Sequence, residues 1–234
     1  MNKLKEFLGD ISGGTVLDVG TGDGSFVEIL MEELKDYNKI IGIDSNDKAI
    51  EAANKNIQSD KVNFKIVSNE YIPYEDNTFD TVAISNTLHH LVNIDKTLGE
   101  MFRVLKPGGT FIINEMFSDE QRERQLSHVY IHHFGAEIDR ILGIYHNKTF
   151  LKQDILSIAE NVGLNKLHSL VYEYDMSDEG LPVEQIIQRY QTQIERIKDK
   201  PQYETYRKEF EVLASRLNEI GIEPASELIV IGIK

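Results

Sequence analysis

Three glycines follow a short apolar segment near the start of the chain, in the stretch V-L-D-V-G-T-G-D-G from Val16 to Gly24. Gly20, Gly22 and Gly24 lack a Cβ atom, so a loop built from them lets the backbone approach a ligand where side chains would block it. The residues after Gly24 are apolar at helical spacing, and a helix N-terminus offers N–H groups and a positive dipole end. The spacing therefore predicts a ligand-binding loop between a strand and a helix.

Two carboxylates accompany this loop. Asp18 lies inside the strand just before the glycines, where a carboxylate suits a cationic amino-acid ligand better than a pyrophosphate. Asp44 ends the next apolar segment about 20 residues further on, where it can accept hydrogen bonds from both hydroxyls of a ribose. Nicotinamide and flavin enzymes carry G-x-G-x-x-G at this point, but here Ser25 replaces the last glycine of that pattern. A nucleoside-bearing ligand is predicted; the alternative is that both carboxylates are only turn and cap residues.

The elements that must position these residues alternate along the first half of the chain. Such alternation predicts βαβ crossovers and an open, doubly wound, mostly parallel α/β sheet with helices on both faces. The sequence P-G-G at Pro107–Gly109 predicts a stop after the third helix. Predicted strands are Thr15–Val19, Lys39–Ile43, Val62–Val67, Phe79–Ser85 and Thr110–Asn114, and predicted helices are Phe26–Leu34, Asp47–Ile57 and Ile94–Leu105.

Helical patterns predominate in the second half. We predict one domain over residues 1–234, with helical cap insertions at 116–148 and 176–222; the late helices could equally form a homodimer interface. The closing strand is continuously apolar, so we expect it inside the sheet. Predicted helices are Ser118–Leu142, Thr149–Asn161, Pro182–Ile197 and Gln202–Ile220, and predicted strands are His168–Tyr174 and Glu227–Ile233.

Composition excludes several classes of protein. The 234 residues contain no Cys, which excludes disulfides, thiolate metal sites and cysteine nucleophiles and fits a cytoplasmic protein. No apolar run suits a signal peptide or a membrane span, so no membrane association is expected. A net charge of −14 lacks the positive field that drives binding to phosphate backbones, so nucleic acid is not expected as a partner.

Five motifs in the same order resemble those of the class I S-adenosylmethionine (SAM)-dependent methyltransferases, especially the small-molecule group that includes the ubiquinone and menaquinone biosynthesis enzymes. The resemblance runs from about Gly14 to Glu115 and implies a seven-stranded Rossmann-like sheet and SAM as cofactor. The motifs are V-L-D-V-G-T-G-D-G, I-G-I-D-S-N, I-P-Y-E-D-N-T-F-D, S-N-T-L-H-H-L and R-V-L-K-P-G-G-T.

The resemblance also implies roles for individual residues. Ser68 and Asn69 stand where the family usually offers an Asp to the adenine amino group, so here a hydroxyl or an amide would accept from adenine. Ser85 would lie under the sulfonium. The methionine portion would be lined by Asp18, Gly20, Gly22 and Gly24, the ribose would be held by Asp44, and the adenine pocket would be edged by Ser45 and Asn46.

Histidines are the candidates for the side of the methyl acceptor. His128 and His132 are i,i+4 neighbours beside the apolar face of the Ser118–Leu142 helix and could be a base, a metal pair or a structural couple. At about 1.5 Å per residue, Asp139 is about 10 Å too far along the helix to complete a metal site with His132, so no metal is predicted. His133 is expected in solvent. The apolar face itself is predicted from Ile131, Phe134, Ile138, Ile141, Leu142 and Tyr145.

His89 and His90 belong to the L-H-H pattern, where packing and substrate contact are both open. Taken together, the sequence predicts a SAM-dependent methyltransferase with a small-molecule acceptor. The alternatives are a SAM-binding protein without transferase activity, acting as a regulatory or partner subunit, and an NAD-dependent oxidoreductase.

Overall fold

A computed structural model describes residues 3–176 and 180–234. Residues 177–179 of the predicted 176–222 insertion lie outside the described residues. Strands with bounds equal to the predicted ones are β1, β4 and β7. In chain order the elements are α1 (Lys3–Leu8), β1 (Thr15–Val19), α2 (Ser25–Glu33), β2 (Lys39–Asp44), α3 (Asp47–Asn56), β3 (Val62–Ile66), β4 (Phe79–Ser85), α4 (Ile94–Val104), β5 (Leu105–Met116), α5 (Glu123–Ile141), α6 (Lys152–Asn161), β6 (Asn165–Tyr172), α7 (Val183–Glu195), α8 (Tyr203–Ile220) and β7 (Glu227–Ile233).

The described strands form one seven-stranded sheet in the order β3-β2-β1-β4-β5-β7-β6. Neighbours from β3 through β5 pair in parallel, which places the carboxyl ends of β1, β2 and β4 at one edge. Strand β7 runs against β5, because Lys234 after its end exchanges backbone hydrogen bonds with Gly108 and Gly109 at the start of β5. The predicted doubly wound, mostly parallel sheet is confirmed, and the closing strand lies inside it as expected.

The chain divides into two compact units. The first comprises Met1–Glu115, Gln153–Tyr172 and Leu228–Lys234 and contains the sheet. Its helices bury their apolar faces on the strands, and the valines of β1 and the isoleucines of β2 are almost completely buried between them. The core includes Val16, Val27, Leu30, Ile40, Phe64, Ala83, Ile112 and Ile229.

The second unit comprises Met116–Lys152 and Glu173–Glu227. Its helices α5, α7 and α8 pack through an apolar core of Ile131, Phe134, Ile138, Ile194 and Phe210. Most of the predicted apolar face of α5 is therefore confirmed. Tyr145 was predicted on this face but lies beyond the end of α5 and is 43% exposed. That 116–148 and 176–222 are cap insertions of a single domain stays a prediction.

Two elements begin five residues away from the predicted position, each for a local reason. Strand β5 begins at Leu105, because the P-G-G segment forms an irregularity within the strand and Gly108 has φ +77° there. Helix α5 begins at Glu123 and not at Ser118, because Glu120 is left-handed, with φ +53°. Helix α1 has six residues and was not predicted. Among the described residues there is no helix of the length and apolarity needed to cross a membrane.

Candidate functional site

The glycine loop connects β1 to α2 with three left-handed residues. Gly20, Gly22 and Gly24 have φ of +71°, +56° and +90°, a backbone region that residues other than glycine rarely adopt. A Cβ atom on Gly20 would lie 2.3 Å from Thr87 Cγ2, and one on Gly24 would lie 2.9 Å from Ile57 Cδ1. A Cβ atom on Gly22 would meet nothing within 4 Å among the described residues. Gly22 thus borders open space at the carboxyl end of β1.

The open space beside Gly22 predicts two separate effects of an alanine substitution at this position. Gly22→Ala should cost about 1–2 kcal/mol of stability, because φ is positive, and should also weaken cofactor binding by roughly tenfold, because the new methyl group enters the open space. Gly108→Ala is the matched control, since Gly108 also has a positive φ and open space around it but lies outside the loop. Thermal unfolding and calorimetric titration measure the two effects. Equal cofactor affinities in the two variants would contradict this assignment of the space beside Gly22.

Asp18 is a buried carboxylate just before this loop. It is 1% exposed, and neither carboxylate oxygen has a hydrogen-bond partner in the part of the chain that the structure describes. Burial raises the pKa of Asp18 to about 7; the neighbouring Thr21 hydroxyl opposes the rise and the Asp44 carboxylate adds to it. A buried carboxylate without a partner is costly, so the residue calls for a cationic or hydrogen-bond-donating ligand.

Asp44 ends β2 beside the same loop. Its Oδ2 accepts the backbone N–H of Gly22 at 3.0 Å and its Oδ1 accepts the N–H of Asn46 at 2.9 Å. Each carboxylate oxygen has two lone pairs, so Asp44 can still accept from the hydroxyls of a ribose. Ser45 is exposed, while the Asn46 side chain caps α3 by accepting the N–H of Lys48. Asp44 therefore joins the end of β2 to the glycine loop.

The segment after β3 supplies a second buried acceptor. Asn69 Oδ1 is buried and has no hydrogen-bond partner among the described residues, whereas Ser68 is exposed and its Oγ accepts the N–H of Glu70 at 3.3 Å. Of the two residues for which the resemblance implies a contact with adenine, Asn69 is thus the one with a buried acceptor that has no partner among the described residues. The following loop is fixed by Arg103, which donates to the carbonyls of Ile72 and Tyr74 at 2.9 and 2.8 Å.

The loop after β4 is held against the glycine loop. Thr87 Oγ1 donates to the carbonyl oxygens of Gly20 and Ser85 at 3.1 and 2.8 Å. Ser85 Oγ in turn accepts from Asn114 Nδ2 at 2.9 Å. Ser85 thus ends β4 with its hydroxyl already engaged by β5, and Thr87 fixes the backbone at Gly20.

The loop after β4 is also held by hydrogen bonds to a fully buried carboxylate. Glu115 is 0% exposed and accepts the backbone N–H groups of Thr87 and Leu88 at 3.1 and 3.0 Å. Its other oxygen pairs with Nδ1 of His89, which is 1% exposed. His89 is thus a partner of Glu115 inside the first unit, while His90 is exposed.

The histidines of α5 have different surroundings within the second unit. His128 Nδ1 accepts the backbone N–H of Ala225 at 2.9 Å, and burial, assisted by the charge of Arg189, lowers the pKa of His128 to about 4. The His128 and His132 rings are neighbours, as predicted, with centroids 6.4 Å apart. The prediction that His133 lies in solvent is wrong: it is half-buried, and its Nε2 is 2.8 Å from Thr149 Oγ1.

His146 follows α5 and could not be placed from the sequence. Its Nδ1 lies 2.9 Å from Asp139 Oδ2 and its Nε2 lies 3.3 Å from His132 Nε2. The helical geometry rightly predicts that Asp139 and His132 do not meet directly. His146 joins them into one hydrogen-bonded chain.

Comparison with known proteins decides the family. A family described as a methyltransferase domain matches residues 10–163, which is more than half of the chain. The chain belongs to the methyltransferase-domain family. The resemblance to class I SAM-dependent methyltransferases is confirmed.

Individual relatives agree with this membership. The ubiquinone/menaquinone biosynthesis C-methyltransferase of Hydrogenovibrio crunogenus is 32% identical over 114 residues, covering 47% of this chain and 45% of that protein. That of Geobacter sulfurreducens is 30% identical over 137 residues, covering 57% and 53%. The chain thus spans about half the length of the curated relatives it matches.

Solved structures confirm the fold. A putative methyltransferase solved in complex with the Haloferax volcanii Trm112 methyltransferase activator has a TM-score of 0.62 at 19% identity, covering 99% of this chain and 87% of that one. At 19% identity this likeness shows that the two proteins share a fold, and nothing more.

Sequence reasoning missed the supporting residues of this methyltransferase-domain site. Thr87 lies within the S-N-T-L-H-H-L motif and Glu115 lies beyond the last motif, and nothing in their spacing shows that they bond each other across 28 positions. Arg103 opens the R-V-L-K-P-G-G motif, and its place in that motif was the one available sign that it has a role in holding the loop.

Proposed function

We propose that this chain transfers a methyl group from SAM to a small-molecule acceptor. The observation that carries the proposal is the unpartnered, buried carboxylate of Asp18 near the end of β1, with Asp44 at the end of β2 and Asn69 after β3 at the same sheet edge. Ligands of open α/β sheets bind outside the carboxyl ends of the strands. SAM would place its ammonium group near Asp18, its ribose at Asp44 and its adenine amino group at Asn69.

The residues present fit this cofactor in three respects. Asp18 and Asn69 are buried acceptors that a ligand can satisfy, and the left-handed Gly22 leaves room beside Asp44. When bound, SAM supplies an activated methyl group on a sulfonium that is already a good leaving group. The chain itself supplies orientation: Thr87 and Glu115 fix the glycine loop, and Arg103 fixes the loop after Asn69.

An NAD-dependent oxidoreductase fits the same edge less well. A pyrophosphate would add negative charge beside Asp18, a carboxylate that already lacks a partner among residues 3–176 and 180–234. A SAM-binding protein without transferase activity would have the same cofactor residues. His128 and His132 are proposed for the acceptor side and would have no such purpose in a purely binding protein.

Two measurements test the proposed function. Calorimetric titration should show binding of SAM and not of NAD, and a metabolite library incubated with SAM should release S-adenosylhomocysteine with at least one acceptor. Binding of NAD alone would support the oxidoreductase. Binding of SAM without release from any acceptor would support the regulatory or partner subunit.

We propose a cytoplasmic protein that acts without a metal, without nucleic acid and without a membrane partner. A homodimer is proposed from the late helices, and sedimentation of the purified chain at several concentrations tests it: a single species at the mass of 26.8 kDa would rule it out.

A further inference from the structure

Thr21 lies in the glycine loop, three residues after Asp18, and its hydroxyl is buried. The side chain is 5% exposed, and Oγ1 has no hydrogen-bond partner among the described residues. The backbone of this part of the loop is fixed, because the N–H groups of Gly20 and Thr21 both donate to the carbonyl of Ile43, at 2.8 and 2.9 Å. A hydroxyl has one proton to donate, so a buried hydroxyl calls for an acceptor close by.

Gly42 on β2 provides the space for this hydroxyl beside Asp18. Asp18 and Gly42 are register partners in the parallel strands β1 and β2, so a side chain at position 42 would stand next to that of Asp18 on one face of the sheet. A Cβ atom on Gly42 would lie 2.6 Å from Thr21 Oγ1 and 2.6 Å from Phe64 Cδ1. The Thr21 hydroxyl thus lies against the space that the missing side chain leaves next to Asp18.

The Asp18 carboxyl group responds to this neighbour. Burial raises the pKa of Asp18 to about 7, the Thr21 hydroxyl opposes the rise, and the Asp44 carboxylate adds to it. The Thr21 and Asp18 side chains do not have the geometry of a hydrogen bond in this structure. Each side chain can turn about its Cα–Cβ bond while the backbone stays fixed, so the hydroxyl can donate to Asp18 once the carboxylate is ionised.

The titratable groups on the neighbouring elements cannot replace Thr21 in this role. Asp44 on β2 carries the same charge as an ionised Asp18 and disfavours it. Asp23 in the glycine loop is also acidic, is exposed and accepts from Ser25. Asp80, near the start of β4, is paired with Lys106. The hydroxyl of Thr21 is therefore the neighbouring group that favours the ionised form of Asp18.

We propose that Thr21 is a positioning residue for the cofactor carboxylate: its hydroxyl donates a hydrogen bond to ionised Asp18 when the cationic group of the ligand binds, and Gly42 provides the space that this requires. The inference deepens the proposed function and rests on it, because SAM is the ligand whose ammonium group Asp18 would hold. Thr21 itself touches neither the ligand nor the reacting atoms in this assignment.

The hydrogen bond determines how much of the protein is ready to bind a cation at neutral pH. With its pKa at about 7, Asp18 is half ionised at pH 7, and only the ionised carboxylate attracts an ammonium group. Loss of the donor raises the pKa of Asp18 and lowers the ionised fraction. SAM affinity should therefore rise with pH while Asp18 ionises and fall above about pH 8, where an α-amino group loses its proton.

The first test measures the titration of Asp18 without any ligand. The carbon chemical shift of the Asp18 carboxyl group is followed against pH in the full chain. Thr21→Val, which keeps the shape of the side chain, should move the midpoint upward by about one pH unit, and Thr21→Ser should keep it near the native value. Thr97→Val is the matched control, because it removes an equally buried hydroxyl from α4 and should leave the midpoint unchanged. Thr21→Ala replaces the valine variant if that fails to fold.

The second test compares SAM affinity by calorimetric titration at two pH values. An upward shift of one pH unit predicts that Thr21→Val binds SAM about fivefold more weakly than the native chain at pH 7 and about twofold more weakly at pH 8. Ionisation of the ligand affects both proteins equally at a given pH, so the ratio of their affinities reports on Asp18 alone. Thr21→Ser should restore native affinity at both pH values.

The outcomes separate this inference from the proposed function. An unchanged Asp18 midpoint in Thr21→Val, or the same upward shift in Thr21→Ser, would overturn the hydrogen bond. A loss of SAM affinity that is equal at pH 7 and pH 8 would also overturn the inference, because it would indicate a role that does not depend on the charge of Asp18. Failure of the native chain to bind SAM at either pH would reject the proposed function, and the role of Thr21 in cofactor binding with it.

Discussion

Replacing Asp18 by Asn is expected to weaken SAM binding by roughly 30-fold or more, because removing one partner of a buried charge pair costs about 2–5 kcal/mol. Asp18 is 1% exposed and its oxygens have no hydrogen-bond partner among the described residues. The ammonium group of the cofactor would supply the missing partner. The asparagine variant keeps the size of the side chain and removes only its charge, and calorimetric titration with SAM measures the loss.

The same substitution should stabilise the ligand-free protein, and the effect should depend on pH. Burial raises the pKa of Asp18 from 3.8 to about 7, so between these values the folded protein retains a proton that the unfolded chain has lost. Stability therefore falls as the pH rises from about 4 to about 7, by at most about 4 kcal/mol. The amide of the Asp18→Asn variant does not titrate and escapes this loss. Thermal unfolding at pH 5 and pH 8 should show the gain of the variant mainly at pH 8.

A matched substitution separates this effect from a general change of charge. Asp60→Asn alters an exposed carboxylate between α3 and β3 and should change neither SAM affinity nor the pH dependence of unfolding. Unchanged SAM affinity in Asp18→Asn would show that the cofactor does not use this carboxylate. A pH dependence that persists in Asp18→Asn would assign it to another group.

The fold was largely predictable because apolar residues repeat with the period of each element. Strands β1, β4 and β7 have the predicted bounds, since their residues are buried on both faces and read as short β-branched runs. The start of β5 was not predictable from this pattern. Its P-G-G segment resembles a turn, and only pairing of Leu105 with Phe79 shows that the strand continues through it.

The cofactor side of the site was predictable in its first residues but not in their support. Asp18, Asp44 and the glycines lie at strand ends, where position in the sequence determines position at the sheet edge. Glu115 lies near the end of β5 and Thr87 follows the end of β4. They come into contact because β4 and β5 are neighbours in the sheet. The choice of Asn69 over Ser68 depends on which of two adjacent side chains is buried, which no spacing specifies.

The histidines show the same division. The spacing of His128 and His132 correctly predicts neighbouring rings on one helix. The sequence cannot distinguish them, because their difference lies in their partners: Ala225 is 97 positions from His128, and His146 returns from beyond the helix end to reach both Asp139 and His132. The helical repeat predicts only which residues are neighbours on one helix, so it predicts neither the contact of His128 with Ala225 nor that of His132 with His146.

Glu115→Ala should be among the most destabilising single substitutions in the first unit. The carboxylate is 0% exposed and accepts from Thr87 N–H, from Leu88 N–H and from His89. Its removal leaves these donors buried without their acceptor, a loss of about 3–5 kcal/mol. Glu115→Gln retains an acceptor oxygen for the two N–H groups and should cost less. Denaturant unfolding of the three proteins measures the order.

The Glu115 variants also test whether the loop after β4 positions the cofactor loop. Thr87 donates to the Gly20 carbonyl, so a variant in which Thr87 is no longer held should bind SAM more weakly even under conditions where it stays folded. Glu70→Ala is the control: it removes a carboxylate from a surface ion pair with Lys96, where the expected cost is about 0–1 kcal/mol. If Glu115→Gln unfolds as readily as Glu115→Ala but binds SAM with native affinity, Glu115 stabilises the fold without positioning the glycine loop. A Thr87→Val variant should then bind SAM normally as well, whereas the coupling proposed for Thr87 and Gly20 requires that it bind more weakly.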